Sequence, residues 1–168
     1  LVQEQGVRTM LASISSGNCN ILAPVAEDLK VLNVMWDCGT EKILESKRYK
    51  YVVRTQANAT TEMVATVLYL MKHRPDFKTV AVVNQDYAWG QDSKKDFTWT
   101  MEKLYPGAKV GEDLLPKFGA GQYGTEISAL MSKPADVTHS SLWGGDLQAL
   151  FLQAGPRGLF KRSQVVFS

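Results

Sequence analysis

The sequence predicts an α/β fold in which parallel sheets are covered by helices, and three observations carry that expectation. Short strand-like runs alternate with longer helical patterns, as in successive strand–helix–strand units. The connections between them are short. At least one run, Thr79-Val-Ala-Val-Val83, is apolar after its first residue, as a strand covered on both faces is. With 168 residues, 45% of them apolar, the chain has material for one domain or two small ones with a packed core.

Residues 1–6 read as the last turn of a helix with Gly6 as its C-cap, and residues 8–12 as the first strand. The loop 13–17 leads into a helix over 18–29, where Pro24 either bends the helix or marks its real first turn. Strands follow at 31–36 and 49–55. Residues 56–59 introduce a helix in which Val64, Val67, Leu68 and Met71 have i, i+3, i+4, i+7 spacing, with Asn58, Thr60 or Thr61 as N-cap. The sequon Asn58-Ala-Thr60 is better read as that cap than as a glycosylation acceptor. Residues 79–83 form a strand and 84–90 the loop after it. A helix then runs to Tyr105, where Pro106-Gly107 stops it, with Trp99 expected in the core and Lys94 and Lys95 on the outer face. Strands at 109–115 and 136–143 flank a helix at 124–132. A helix over 144–154, a solvated connector at 157–162 and a strand at 164–167 complete the chain. Both ends fall inside elements, so an internal portion of a longer protein is expected, and a missing signal peptide is uninformative.

Nineteen basic and 17 acidic residues give a formal charge of +2, too weak a field to suggest nucleic acid or an anionic membrane. A small molecule is the expected partner. No apolar run reaches the roughly eighteen residues a membrane helix needs. Cys19 and Cys38 read as free, partly buried thiols, with a single bridge as the alternative. His73 and His139 read as structural or surface residues, Gly-x-Ser-x-Gly is absent, and no His, Cys and carboxylate cluster has metal-ligand spacing, so neither a hydrolase nor a metal site is expected.

The stretch GAGQYG, residues 119–124, matches the dinucleotide fingerprint G-x-G-x-x-G. It follows a strand and opens a helix, but Pro116, Lys117 and Phe118 lengthen the turn. About twenty residues on, where an acidic side chain would take a ribose, stands Thr138-His-Ser-Ser-Leu142, which has none. No cofactor is therefore expected, and a nucleotide-dependent enzyme is the least favoured alternative.

In such sheets ligands sit beyond the carboxyl ends of the strands, where helix N-termini present free N–H groups. That directs attention to Ser15-Ser16-Gly17, Cys38-Gly39-Thr40, the loop carrying Asp86, Tyr87 and Trp89, and the loop carrying Trp143 and Asp146. Trp36, Trp89 and Trp143 all fall at strand ends. They either plug the sheet or wall a ligand pocket. As a pocket residue, Trp89 replaced by Ala would weaken ligand binding with little change in stability.

The same loops carry a family resemblance. Ser15-Ser-Gly17 with Ala23-Pro-Val-Ala-Glu27, then Val52-Val-Arg-Thr55, Asn84-Gln-Asp-Tyr-Ala-Trp-Gly-Gln91, Lys133-Pro-Ala-Asp-Val137 and Leu142-Trp-Gly-Gly-Asp146, taken in order, resemble the type I periplasmic substrate-binding proteins of ABC transporters, leucine/isoleucine/valine-binding branch. The resemblance implies two Rossmann-like lobes joined at a hinge near 56–59, incomplete in this chain. Residues 1–57 would be part of the N-terminal lobe and 58–168 most of the C-terminal lobe. It implies a non-enzymatic protein that closes around a small carboxylate-bearing ligand, an amino acid or aromatic acid, and delivers it to a membrane permease. Its place would be the periplasm, or the outer face of a single-membrane cell as a lipoprotein. A sensory receptor of the same fold is the alternative.

By position, Ser15, Ser16 and Gly17 match the loop that holds the ligand carboxylate, and Cys38, Gly39 and Thr40 a second carboxylate-binding loop. Trp89, where the family commonly has Tyr, and Trp143 match cleft aromatics, with Tyr87 beside them. The acidic partner of an amino-acid ligand's ammonium would lie past Ser168, with Asp146 as a possible substitute. In the family, the loop at 119–123 commonly runs Gly-Ala-Thr-Asp-Phe, which makes two of the fingerprint glycines incidental and leaves Tyr123 to pack the start of its helix.

Overall fold

The computed structural model describes residues 1–168 and divides into two compact units, Leu1–Thr61 and Glu62–Ser168. Each is an α/β layer built on a parallel sheet.

The first unit opens with α1 (Val2–Gln5), ended by Gly6 at φ 69°, a left-handed conformation that glycine adopts without Cβ strain. Its sheet has the order β1 (Thr9–Ala12), β2 (Leu32–Met35), β3 (Val52–Arg54), all parallel. The third strand is shorter than the expected 49–55, because the Lys50 and Tyr51 N–H groups both donate to Glu27 Oε2 at 2.9 Å. Helix α2 (Ser16–Asp28) begins earlier than expected: Ser15 is its N-cap, in extended backbone, with Oγ accepting from Asn18 N at 3.5 Å. Pro24 sits inside α2 and marks no first turn. The short α3 (Lys42–Ser46), not foreseen, follows β2 and buries Ile43.

Cys19 and Cys38 are joined in a disulfide, with Cα atoms 6.3 Å apart, which overturns the free-thiol reading. The reason is tertiary. Cys19, in α2, and Cys38, just after β2, share one buried cluster with Ala23, Met35 and Ile43, so the crossover that packs α2 on the sheet brings them together.

Helix α4 (Ala59–His73) carries the chain into the second unit. Asn58 caps it, its Oδ1 accepting from Thr61 N at 3.0 Å. The helix buries Met63, Val67 and Leu70, while Leu68 stands 50% exposed. The expected stripe was therefore rotated by about one residue, because α4 is apolar enough for either stripe and only contact with Phe77, Val80 and Phe97 selects one.

The sheet of the second unit has the order β5-β4-β6-β7, again all parallel: β4 (Thr79–Val83), β5 (Lys109–Leu114), β6 (Val137–Ser140) and β7 (Gln164–Phe167). Val80 and Val82 face a core shared with α4 and α5 (Ala88–Leu104), while Ala81 and Val83 face a second core shared with α6 (Gly124–Ser132), α7 (Gly144–Ala154) and α8 (Leu159–Arg162). A strand covered on both faces has no polar side to alternate, which is why 80–83 reads as an unbroken apolar run. Each of the three valines contributes ~1.5–3 kcal/mol through burial.

Trp99 is not core: it is 52% exposed, because α5 turns Ser93, Phe97, Thr100 and Met101 inward and position 99 falls between those rows. Lys94, on the outer side as expected, pairs with Asp113 at 2.7 Å. His139 is fully buried in β6, stacked on Phe97 with ring centroids 4.1 Å apart; burial pushes its pKa down to about 3, so the ring is neutral. The segment expected as a connector at 157–162 contains α8, with Leu159 buried. No helix is long and apolar enough to cross a membrane.

Candidate functional site

In the first unit the two candidate loops meet. Ser16, 3% exposed in the first turn of α2, accepts the Thr40 N–H on its Oγ at 3.2 Å. The disulfide ties the same two segments together one helical turn further on. Ser15 and Gly17 are half-buried, whereas Cys38, Gly39 and Thr40 are buried. With its sulfur in the disulfide, Cys38 has only backbone groups to offer a solute.

Arg54, at the end of β3, fixes this second loop from the other side. Its Nη1 donates to Cys38 O at 3.2 Å and to Thr40 O at 2.7 Å, bringing a guanidinium to the carbonyl side of the loop. Glu41 holds the loop to the start of α4, accepting from Asn58 Nδ2 at 2.7 Å and Thr60 N at 2.9 Å. The cap residue Asn58 is thus doubly engaged. One further feature is Ser13, at φ 85° and buried, with its Oγ unpartnered. A non-glycine residue held in the left-handed region costs on the order of 1–3 kcal/mol and tends to occur where function requires it. Neither Ser13 nor Arg54 was a candidate from the sequence. Arg54 lay inside the Val-Val-Arg-Thr stretch, but its two carbonyl partners are 14 and 16 residues away and no local pattern points to them.

In the second unit the loops after β4, β5 and β6 come together. Asn84 is their buried tie: its Oδ1 accepts from Ser141 N at 2.8 Å and its Nδ2 donates to Gly90 O at 3.3 Å. Tyr87 precedes α5 as its N-cap, and Trp143 precedes α7 as its N-cap. Trp143 Nε1 donates to Tyr87 Oη at 2.6 Å. Phe118 lies between the two, its ring centroid 4.9 Å from that of Tyr87 and 6.0 Å from that of Trp143. Trp89 is placed differently. It packs against the buried cluster of Val80, Val82 and Phe97, and its Nε1 donates to Ser141 O at 3.2 Å. Removing its ring would vacate core space, so the expectation of an affinity effect with little loss of stability gives way to one in which stability falls as well. Trp36, 47% exposed after β2, joins neither group of loops.

The glycine fingerprint has a definite role here. Gly119 and Gly121 have φ of 74° and 63°, so both are conformationally required and not incidental. Their N–H groups point at an anion, but that anion is Asp146: Oδ2 accepts from Gly119 N at 2.7 Å and from Gln85 Nε2 at 2.6 Å, and Oδ1 from Gly121 N at 3.4 Å. Burial alone would raise the Asp146 pKa; the hydrogen bonds from Gln85 and the loop, with the Tyr123 phenol nearby, outweigh it and hold the carboxyl below its ordinary range. Asp146 is 7% exposed and committed to this loop. Tyr123 is fully buried at the start of α6, and burial together with the Asp146 carboxylate pushes its phenol pKa up.

Phe118, Trp143, Gln85, Asp146 and the Gly119 and Gly121 backbone line a cavity of about 380 Å³. Phe118 and Gln85 were missed from the sequence. The signal for Phe118 was its position beside the glycine loop; for Gln85, its adjacency to the Asp86–Trp89 loop. No group of three His, Cys or carboxylate side chains gathers that could hold a metal ion.

A model of the periplasmic binding protein family matches residues 1–168, so the chain belongs to that family, one of binding proteins and not of enzymes. Solved structures with the same fold include a solute-binding protein of an ABC transporter from R. palustris in complex with 4-hydroxybenzoate, with a TM-score of 0.88 at 22% identity. That match covers 100% of this chain and 45% of the other. A second R. palustris solute-binding protein, in complex with benzoate, gives 0.84 at 17% identity over 99% of this chain and 44% of that one. The leucine-, isoleucine-, valine-, threonine- and alanine-binding protein of Brucella ovis gives 0.78 at 19% identity, covering 99% and 44%. This chain therefore spans a little under half the length of these structures, and at such identities the likeness establishes the fold alone. Comparison with curated proteins finds no match.

Proposed function

We propose that the protein is the solute-binding component of an ABC importer, of the leucine/isoleucine/valine-binding branch, working in the periplasm or on the outer face of a single-membrane cell. It captures a small carboxylate-bearing solute, an amino acid or aromatic acid, and passes it to a membrane permease. Residues 1–57 would then belong to the N-terminal lobe and 58–168 to the C-terminal lobe.

The observation that supports this reading most is the joining of the first two loops through Ser16 Oγ and Thr40 N, at the N-terminus of the 13-residue helix α2. Free N–H groups and hydroxyls at a helix N-terminus suit a carboxylate. In this reading Ser15, Ser16, Gly17 and the loop of Cys38, Gly39 and Thr40 hold the carboxylate, with the Thr40 N–H acting through Ser16 Oγ. Tyr87, Trp89 and Trp143 hold the apolar body, and Asp146 shapes the pocket and leaves a ligand ammonium to another residue.

Thermal-shift screening of the full-length protein against amino acids and aromatic acids tests it. A solute at a hundred times its Kd adds about 2.7 kcal/mol to apparent stability. Failure of every member of both classes to raise the melting temperature would refute the reading.

A further inference from the structure

Every carbonyl oxygen of the loop at 38–40 is engaged within the chain. Cys38 O and Thr40 O accept from one guanidinium nitrogen, Arg54 Nη1, at 3.2 and 2.7 Å, and Gly39 O accepts from Ala59 N at 2.8 Å. No peptide bond here is cis, and in a planar trans peptide the N–H lies on the side opposite the C=O. Holding the Cys38 carbonyl therefore turns the Gly39 N–H away from the guanidinium, while the Thr40 N–H is spent on Ser16 Oγ at 3.2 Å. A solute that reaches this loop finds no backbone acceptor free.

Two opposite charges stand beside the loop. The half-buried Arg54 cation lies on its carbonyl side, and the Glu41 carboxylate, 7% exposed, is taken up by Asn58 Nδ2 and Thr60 N at the start of α4. At a distance the pair largely cancels, so Arg54 acts on the loop by orienting its peptide units more than by adding a field.

We infer that Arg54 is a positioning residue that sets the polarity of the 38–40 loop: by withholding the Cys38 and Thr40 carbonyls it makes the loop select a carboxylate against a neutral amide. This rests on the proposed function and adds to it the residue that enforces the choice. Arg54 need not touch the solute. Without it, two carbonyl oxygens lose their donor and their peptide units are free to turn, so an amide NH2 finds acceptors where the wild type offers none. The same freedom must be frozen out again when an anion binds, a cost that the preorganised loop avoids. Lys carries three donors on a single nitrogen and can serve both carbonyls as Nη1 does, which makes it the conservative replacement.

Calorimetry on the full-length protein tests this with two pairs of an acid and its amide, benzoate with benzamide and L-leucine with L-leucinamide. In the wild type an acid should bind at least about tenfold more tightly than its amide. Arg54→Met should weaken the acid about tenfold and leave the amide unchanged or tighter, which brings the ratio close to one. Arg54→Lys should restore most of the preference. The ratio separates positioning from a structural role, since a loss of fold stability weakens both members of a pair alike. Should Arg54→Met not fold, Arg54→Gln, whose neutral amide ends short of the loop, gives the same reading. A wild-type ratio retained in the Met or Gln variant overturns the inference and leaves the proposed function standing. An amide that binds the wild type as tightly as its acid overturns the inference too. No binding by any of the four does the same, whereas the function itself falls only if the full acid screen is also silent.

Discussion

Replacing Asp146 by Asn removes the charge from the centre of the glycine loop and keeps its shape. In the wild type, Oδ2 takes two short hydrogen bonds, from Gln85 at 2.6 Å and Gly119 at 2.7 Å, and Oδ1 a long one from Gly121 at 3.4 Å. Hydrogen bonds to a charged acceptor are worth about 1.5–3 kcal/mol and neutral ones about 0.5–1.5. Downgrading two of them, and turning an amide NH2 toward the third donor, costs roughly 2–3 kcal/mol. Relief of the buried charge offsets part of this, leaving about 2 kcal/mol. Urea unfolding of both proteins at a series of pH values reads it. The folded-state pKa of Asp146 is lowered. Its contribution is therefore fully present above the unfolded value of about 3.9 and is lost as pH falls through the folded value. The gap between wild type and Asp146→Asn should stand at about 2 kcal/mol at neutral pH and close in strong acid. Equal stability at pH 7, or a gap that does not close, would refute the account of the loop.

Three other outcomes follow from the packing. Cys19→Ser with Cys38→Ser opens a loop spanning a sequence separation of 19, which by the chain-entropy relation costs ~3 kcal/mol in denaturant unfolding, and a loss near zero would mean the cluster alone holds the loops together. His139, neutral in the fold with a pKa of about 3, is protonated first in the unfolded chain, so stability falls as pH drops from about 6.5 toward 3, by at most ~1.4 kcal/mol per pH unit. His139→Gln should flatten that slope, and an unchanged slope assigns it to other groups. Gly90→Ala would set a Cβ 1.8 Å from the Gln85 carbonyl oxygen, which no rotamer relieves. A loss of ~3 kcal/mol or more is expected in unfolding experiments, with a tolerated substitution ruling out this packing of α5 on the 84–85 turn.

Much of this was legible one element at a time. The strand at 79–83 and the helices at 124–132 and 144–154 follow from local pattern and bounding turns, and the structure returns them. The misses share a cause. Leu68 lies on a helix apolar enough for either of two adjacent stripes, Trp99 falls between the inward rows of a largely polar helix, and in both the choice is made by residues far along the chain. The Cys19–Cys38 bridge, the Arg54 bonds to Cys38 and Thr40 and the Gln85–Asp146 pair all join segments brought together by strand order, which spacing does not encode. For the candidate site, strand-end loops located Ser16 with Thr40 and Tyr87 with Trp143. The partner that turned GAGQYG from a cofactor motif into a structural one was visible by residue type, yet not by role.

The glycine loop at 119–121 is an anion-binding turn that carries its own anion. Because the Asp146 carboxylate is delivered by the backbone of α7, a competing phosphate would face it as an intramolecular rival, at an effective concentration that can lie far above any free nucleotide in solution. The turn is thus occupied as soon as the chain folds. Its left-handed glycines, the feature most suggestive of a cofactor, work as the socket for a latch between two loops.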